Sequence, residues 1–437
     1  MPEPFLDHVD LADLARRVGT PFYVSSAEVV RRRIADVLAI APGGAVQARY
    51  AMKACSSRRL LEVIREAGIW IDAVSGNEAL RARAAGFPGG HTPPAVLLTA
   101  DVFRDNALDV VLEQRLLPNI GSPAMIDALV RAGYRGPIGI RVNPGFGHGH
   151  VRATDTGGPS SKHGIWFEDL DAVRDAATRA GYPIVLLHAH VGSGPAIDEF
   201  NANMGNLERF FHERVGDFPD LEAVNLGGGI PHPYRPDKPA IDLTPLGRIL
   251  AGAQRRLSER AGRALRVEIE PGRYVVAPSA ALVARVTDIK TTRTNEKGPG
   301  HTFVMIDAGF VDLVRPSMYG SYHHITVHPA ASGIGEGTHA LANSLPVPLV
   351  VAGPLCESGD VFTRDAAELL DPRPLPLPRI GDLVVLHDAG AYGAQMSSNY
   401  NSIGRAPQVW LENGRAYLAA RRETLDDIVR TECFEPL

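Results

Sequence analysis

The chain has 437 residues, of which 45% are hydrophobic and 22% charged, with a net charge of −5. That length and apolar content suffice for two or more domains with sizeable cores, and the mild acidity excludes the basic surface that binding to nucleic acid or an anionic membrane demands. The three cysteines, Cys55, Cys356 and Cys433, are widely separated and form no CxxC pair, which points to a reducing compartment rather than to disulfides or a zinc site. The first residues have no basic stretch leading into an apolar core, and no apolar run reaches the roughly 20 residues of a membrane span. The cytoplasm is the expected location.

In chain order, Leu11 to Gly19 reads as a short amphipathic helix closed by glycine. A strand, Pro21 to Val24, and a helix, Ala27 to Leu38, follow. A strict alternation then begins. Apolar, strand-like runs end near Met52, Ala73, Thr99, Ile120, Val142, Ala189, Leu226 and Ile269, and helical patterns separate nearly all of them. Ser57 opens one such helix and Gly68 closes it. Ser75 and Glu78 have the spacing of a capping box, with Gly86 ending that helix, and Ser122 to Gly133 bounds another. Strands alternating with helices imply parallel βα units. Eight of them over residues 36–275 fit a (β/α)8 TIM-like barrel, typically about 250 residues, with a doubly wound open sheet as the alternative.

After Pro271-Gly272 the pattern changes to short β-rich runs: Ala281 to Val286, Thr302 to Ile306, Leu349 to Val351 and Asp382 to Leu386. Turns rich in Gly and Pro divide them, as in a mostly antiparallel β domain over 276–437. Residues 1–35 are expected to add to that domain, and the proline-rich stretch from Asp371 to Pro378 to form an extended loop.

In a barrel of this kind the strands' C-terminal ends carry the active site. Here those ends are polar: Lys53 after the first, Arg141 and Asn143 at the fifth, His188 and His190 at the sixth, Gly227-Gly228-Gly229 after the seventh, Glu270 and Arg273 after the eighth. Each alone has an ordinary explanation: a flexible glycine turn, an interior histidine, an ion pair between Glu270 and Arg273. Their joint place at one rim suggests more. Glycine backbone and an arginine suit a phosphate. A lysine amine, a carboxylate and a flat imidazole around it suit pyridoxal 5′-phosphate. Metal binding by His148, His150, His323 and His324 is a competing reading, weakened by the missing third ligand at a helical offset.

Six motifs stand in order: Tyr50-Ala51-Met52-Lys53-Ala54, His190-Val191-Gly192-Ser193-Gly194, Gly227-Gly228-Gly229, Glu270-Pro271-Gly272-Arg273, Cys356-Glu357-Ser358-Gly359-Asp360 and Gly390-Ala391-Tyr392-Gly393. Together they resemble the fold-type III pyridoxal phosphate-dependent decarboxylases, over almost the whole chain, and within them the enterobacterial-like type that acts on meso-diaminopimelate. The resemblance implies that Lys53 holds the cofactor covalently and that His190 stacks on its ring. Ser193, Gly228 and Gly229 would hold its phosphate, Glu270 would face its ring nitrogen, and Arg273 would anchor phosphate and substrate. Arg315, Tyr319 and Glu357 would grip the substrate, Tyr392 would touch both molecules, and Cys356 would be the proton donor. It also implies a homodimer whose Cys356-Glu357 segment completes the partner's site. Gln395 and Ile403 depart from the family's pattern close to Tyr392. Relatives acting on D-ornithine, D-lysine or siderophore precursors, and non-catalytic homologues that bind the cofactor, are the rival readings.

Overall fold

The computed structural model describes residues 4–40, 44, 46–147, 156–194, 196–330 and 345–435. The chain divides into two compact units, one of residues 31–232 and 240–275, the other of residues 1–30, 233–239 and 276–437. The division falls inside helix α2 (Ala27–Ala39), which follows α1 (Leu11–Val18) and strand β1 (Phe22–Ser26).

The first unit is a closed parallel barrel. Its strands are β2 (Val46–Ala51), β3 (Trp70–Ala73), β4 (Val96–Ala100), β5 (Leu117–Ile120), β6 (Ile138–Asn143), β8 (Ile184–His188), β9 (Ala223–Asn225) and β10 (Arg266–Ile269); a short β7 (Ile165–Trp166) pairs only with β6. Pairing runs β2-β3-β4-β5-β6-β8-β9-β10 and back to β2, every neighbour parallel. The ring closes, so the open-sheet alternative is excluded. Helices α3 (Arg58–Glu66), α4 (Gly76–Ala84), α5 (Ala107–Gln114), α6 (Ala124–Arg131), α7 (Leu170–Ala180), α8 (Ile197–Arg214) and α9 (Thr244–Ala261) link the strands.

Helix punctuation follows the sequence with two adjustments. Ser75 Oγ accepts the Glu78 amide at 3.1 Å, but the Glu78 carboxylate takes the N–H of Val74, one residue before the cap. Pro123 displaces the start of α6, whose first helical residue is Ala124 rather than one beside Ser122.

A buried ion pair sits among the strands of the barrel. Arg49 is wholly buried, with Nε 2.5 Å and Nη2 3.0 Å from the two oxygens of Glu268, and its Nη1 donates to Pro94 O at 2.7 Å. Arg266 adds a second donor to Glu268 at 3.0 Å, and the Arg49 and Arg266 guanidinium groups both lie over the Trp70 ring. Burial alone would raise the Glu268 pKa, but these cations outweigh it and hold the carboxyl low.

The second unit is built on a nine-stranded, mostly antiparallel sheet. Its long central strand, β11 (Ala280–Thr291), pairs antiparallel with β1, β12 (Thr302–Ile306) and β16 (Leu383–Leu386). The sheet also contains β13 (Ile325–His328), β14 (Val347–Ala352), β15 (Arg373–Leu375), β17 (Gln408–Glu412) and β18 (Arg415–Ala420). Two pairings, β1 with β17 and β12 with β14, are parallel. Successive residues of a strand point to opposite faces: Leu282, Ala284 and Val286 enter one core with Val384 and Leu386, while Ala281 and Val283 enter another with Leu383 and Val385. Leu11, Leu14 and Ala15 of α1 cover the second core. The proline-rich stretch is not wholly a loop. Its Arg373–Leu375 pairs with β14, with Pro374 opposite Pro348, an edge position where a missing N–H is tolerated.

No helix among the described residues is long and apolar enough to cross a membrane. Arg49→Leu should strand Glu268 without its main partner and destabilise the protein by about 3–5 kcal/mol, read as a lower urea midpoint. Arg49→Leu combined with Glu268→Leu should recover a large part of that loss.

Candidate active site

Along β4, β5, β8 and β9, Leu97, Leu117, Leu186 and Ala223 form one apolar cluster. Two residues further along each strand, and therefore on the same face, stand Thr99, Asn119, His188 and Asn225, all buried. Asp72 at the end of β3 and Glu270 just after β10 are buried as well. The rim thus carries a polar layer directly above an apolar one, and buried polar groups must satisfy one another.

Glu270 shows how. Asn225 Oδ1 accepts the backbone N–H of Gly227 at 2.8 Å, which fixes the amide so that its Nδ2 donates to Glu270 Oε1 at 2.8 Å. His188 Nε2 lies 3.5 Å from the other oxygen. Burial works against ionisation here, yet His188 beside the carboxylate and the charge of Lys53 outweigh it and hold the Glu270 carboxyl far below its ordinary range. Glu270 is an acceptor-only carboxylate. The ion pair with Arg273 considered from sequence is not needed to explain its charge.

His190 is equally well defined. The Gly228 backbone N–H donates to its Nδ1 at 3.2 Å, so the ring proton sits on Nε2, which faces Ser193 Oγ at 3.1 Å. Burial, reinforced by Lys53 and Arg141, pushes its pKa well below 6.5. A neutral, flat imidazole results. Thr156 Oγ1 donates to the His190 carbonyl at 2.8 Å.

Lys53 leaves β2 on a single 3₁₀ turn, Met52–Ala54, half-buried. Its charge acts on Asp72, Glu78, His190 and Glu270. Asp72 is pushed up to about 8, first by burial and then by Glu270, while Lys53 and the 2.6 Å bond from Thr99 Oγ1 pull the other way. Nearby Cys55 is inert by the same logic, since burial raises its thiol pKa.

The glycine triplet is a tight cradle, not a slack turn. A Cβ on Gly228 would collide with the Glu270 carbonyl, and Gly229, at φ +116°, would collide with the Gly192 carbonyl. Backbone is thereby brought to a spot where no side chain intrudes. The short helix α10 (Arg273–Val276) begins three residues after Glu270. An amine, an acceptor-only carboxylate, a neutral imidazole and an anion cradle on one barrel rim fit a pyridoxal phosphate ring and its phosphate.

In the second unit, α11 (Arg315–Tyr319) sets Arg315 and Tyr319 one turn apart. Arg315 is buried. Its Nη1 donates to His323 Nε2 at 2.8 Å, its Nη2 to Ser321 Oγ at 3.2 Å, and its guanidinium lies over Tyr234. His323 Nδ1 donates to the His387 carbonyl at 2.8 Å, which leaves Nε2 as the acceptor that Arg315 requires. His324 stacks against His387 at 5.5 Å, and its burial lowers its pKa. His148 and His150 lie outside the described residues.

Cys356 and Glu357 are both exposed, on a loop clamped by Asp360, whose two oxygens accept the Phe310 and Leu355 amides at 2.7 and 2.8 Å. Ser317 Oγ donates to Gly359 O at 2.8 Å, tying that loop to α11. Tyr392 holds φ +60°, a costly left-handed conformation for an aromatic residue. Of the two departures nearby, Gln395 is exposed, while the Ile403 carbonyl accepts from Asn399 at 3.0 Å. Arg405, two residues on, pairs with Glu423 at 3.1 Å.

Sequence reading missed Asp72, Thr99 and Asn119. The signal was present: each is a polar residue one position before the end of an apolar strand, where the inward period of two reaches the rim.

Comparison with known proteins gives consistent matches. The profile described as "Pyridoxal-dependent decarboxylase, pyridoxal binding domain" matches residues 27–277. The chain is 41% identical to the diaminopimelate decarboxylase of Escherichia coli strain K12 over 97% of this chain and 96% of that one. A crystal structure of a diaminopimelate decarboxylase, 40% identical, superposes with a TM-score of 0.87 over 96% of this chain and 95% of that one. The Helicobacter pylori diaminopimelate decarboxylase complexed with L-lysine is 25% identical, with a TM-score of 0.81 over 96% and 98% of the two chains.

Asp72 offers a pH test. With its pKa raised from 3.8 to about 8, the folded protein keeps a proton that the unfolded chain has released across that window, so its stabilising effect is full below pH 3.8 and is lost as the pH rises toward about 8. Asp72→Asn keeps an acceptor for Thr99 and removes the loss. In thermal unfolding of the ligand-free protein the variant should gain on the parent from about pH 4 to about pH 8; a constant offset would refute the shift.

Proposed function

The chain belongs to the diaminopimelate decarboxylases of the pyridoxal-dependent decarboxylase family, and from that premise we propose how its residues perform the reaction. The enzyme is a pyridoxal phosphate-dependent carboxy-lyase that converts meso-2,6-diaminopimelate to L-lysine and CO2. The observation that carries the residue-level account is Glu270, kept ionised at the same rim as Lys53 and a neutral His190.

Bound pyridoxal phosphate supplies an electron sink for the pair left on Cα when the carboxylate departs as CO2. Lys53 would hold the cofactor through its side-chain amine. Glu270, an acceptor, faces the ring nitrogen and keeps a proton there. His190, neutral and flat, packs on the ring without adding charge. Ser193, Gly229 and Arg273 hold the phosphate, and Gly228, whose one N–H goes to His190 Nδ1, lines the cradle and joins it to the stacking ring.

Substrate choice rests on the distal amino acid head. Arg315, pre-set by His323, Ser321 and Tyr234, takes its carboxylate together with Tyr319, and Glu357 takes its amino group; Arg273 and Tyr392 complete the grip. Cys356 returns a proton from Sγ to Cα. The exposure of Cys356 and Glu357 on a clamped loop supports a homodimer in which each subunit's loop completes the site of the other, and the three free thiols support a cytoplasmic setting.

Three outcomes test this reading. CO2 release from meso-diaminopimelate should exceed that from D-lysine or D-ornithine, and equal turnover of either monocarboxylate would refute the role of Arg315. Lys53→Ala should lower kcat by at least about 1,000-fold, and borohydride reduction followed by peptide mass analysis should find cofactor on the parent's Lys53 and none on the variant. Mixing Lys53→Ala with Cys356→Ala protein should restore activity as subunits exchange; exchange without recovery would rule out shared sites.

A further inference from the structure

His188 is buried within the polar layer, its Nε2 atom lacks a well-formed hydrogen bond, and Glu270 Oε2 lies 3.5 Å from it. What decides its influence is which ring nitrogen carries the proton. Thr99 Oγ1 donates to Asp72 Oδ1 at 2.6 Å, an oxygen that accepts whether or not the other carboxyl oxygen is protonated. With its only hydrogen directed to Asp72, Thr99 Oγ1 is an acceptor for Asn119, whose Nδ2 reaches it at 3.2 Å. The same Nδ2 contacts His188 Nδ1 at 2.8 Å. An amide nitrogen has only hydrogens to offer, so His188 Nδ1 bears the lone pair and Nε2 bears the proton.

We infer that Asp72, Thr99 and Asn119 form a directional hydrogen-bond ladder that locks His188 as the Nε2–H tautomer, making His188 a positioning residue that keeps the Glu270 carboxylate charged and aimed. Asn225 serves one oxygen from the other side, with its direction set by the Gly227 amide. Asn225 Nδ2 on one oxygen and a Nε2–H turned toward the other both favour the ionised carboxylate, which is the condition for accepting a hydrogen bond from a protonated ring nitrogen. The opposite tautomer would turn a lone pair on the carboxylate and favour protonation of Glu270 instead. Groups that bear on the same carboxylate are Lys53 and His190, both part of the site itself. This inference rests on the proposed contact between Glu270 and the cofactor's ring nitrogen.

The test uses holoenzyme reconstituted with pyridoxal phosphate labelled with ¹⁵N in the ring, whose chemical shift reports ring protonation independently of turnover. His188→Leu should move the shift toward the neutral-pyridine position and lower kcat about 10- to 100-fold, as loss of an orienting partner does, with KM little changed. Asn119→Leu, nearly the same size, removes the donor to Nδ1 and with it the lock on the tautomer, so it should move the shift the same way. His188→Gln offers an amide N–H to Glu270 and should recover both the protonated shift and a substantial part of kcat. Glu270→Gln separates the two readings. If it leaves the shift unmoved, the contact between Glu270 and the ring is wrong. If it moves the shift while His188→Leu and Asn119→Leu do not, the ladder is overturned and the site reading stands. Should His188→Leu fail to fold, Asn119→Leu and His188→Gln decide the question between them.

Discussion

Everything at the barrel rim depends on one carboxylate being kept ionised in a place where burial opposes it. Asn225 does this by a simple geometric device. Its oxygen is committed to the Gly227 amide, so its nitrogen has no choice but to donate to Glu270. The Gly227-Gly228-Gly229 turn that fixes Asn225 also fixes His190, through Gly228 N–H, and offers backbone for an anion. One glycine turn therefore sets the direction of Asn225 toward Glu270, the tautomer of His190 and the shape of the backbone beside them. A side chain at Gly228 would disturb all three, because its Cβ would meet the backbone of Glu270 itself.

The polar layer tolerates burial because each member is chosen for direction as well as polarity. Asp72 and Glu270 are both buried carboxyls, but their surroundings drive them apart: one up to about 8, the other far below its usual range. Lys53 acts on two acids with opposite protonation, Asp72 keeping its proton and Glu270 ionised. The buried Arg49–Glu268 pair is different in kind. It is satisfied internally, by Arg266 and the Pro94 carbonyl.

Much of this was legible in the chain. The eight strand ends and the glycines that close helices are local signals, and they placed Lys53, His190, Glu270 and Arg273 on one rim. The closed barrel bears out the expected fold class, as the β-rich tail does. Less legible were features that depend on partners distant in sequence. β15 hides in a proline-rich run because its pairing with β14 is set from outside. Asn119 looks like any strand-end asparagine until β4 and β8 bring Thr99 and His188 to its two sides. Likewise His323 reads as half of a His-His pair, whereas in the fold it bridges the His387 carbonyl and Arg315.

The ionisation of Glu270 can be read directly by ¹³C NMR on protein carrying carboxyl-labelled glutamate, with Glu270→Gln used to assign the signal. The account requires that signal to remain at the carboxylate position throughout the folded range, including below the ordinary glutamate value of 4.5. A Glu270 resonance that titrates at or above 4.5 would contradict it, and with it the arrangement by which the barrel rim holds a protonated cofactor ring.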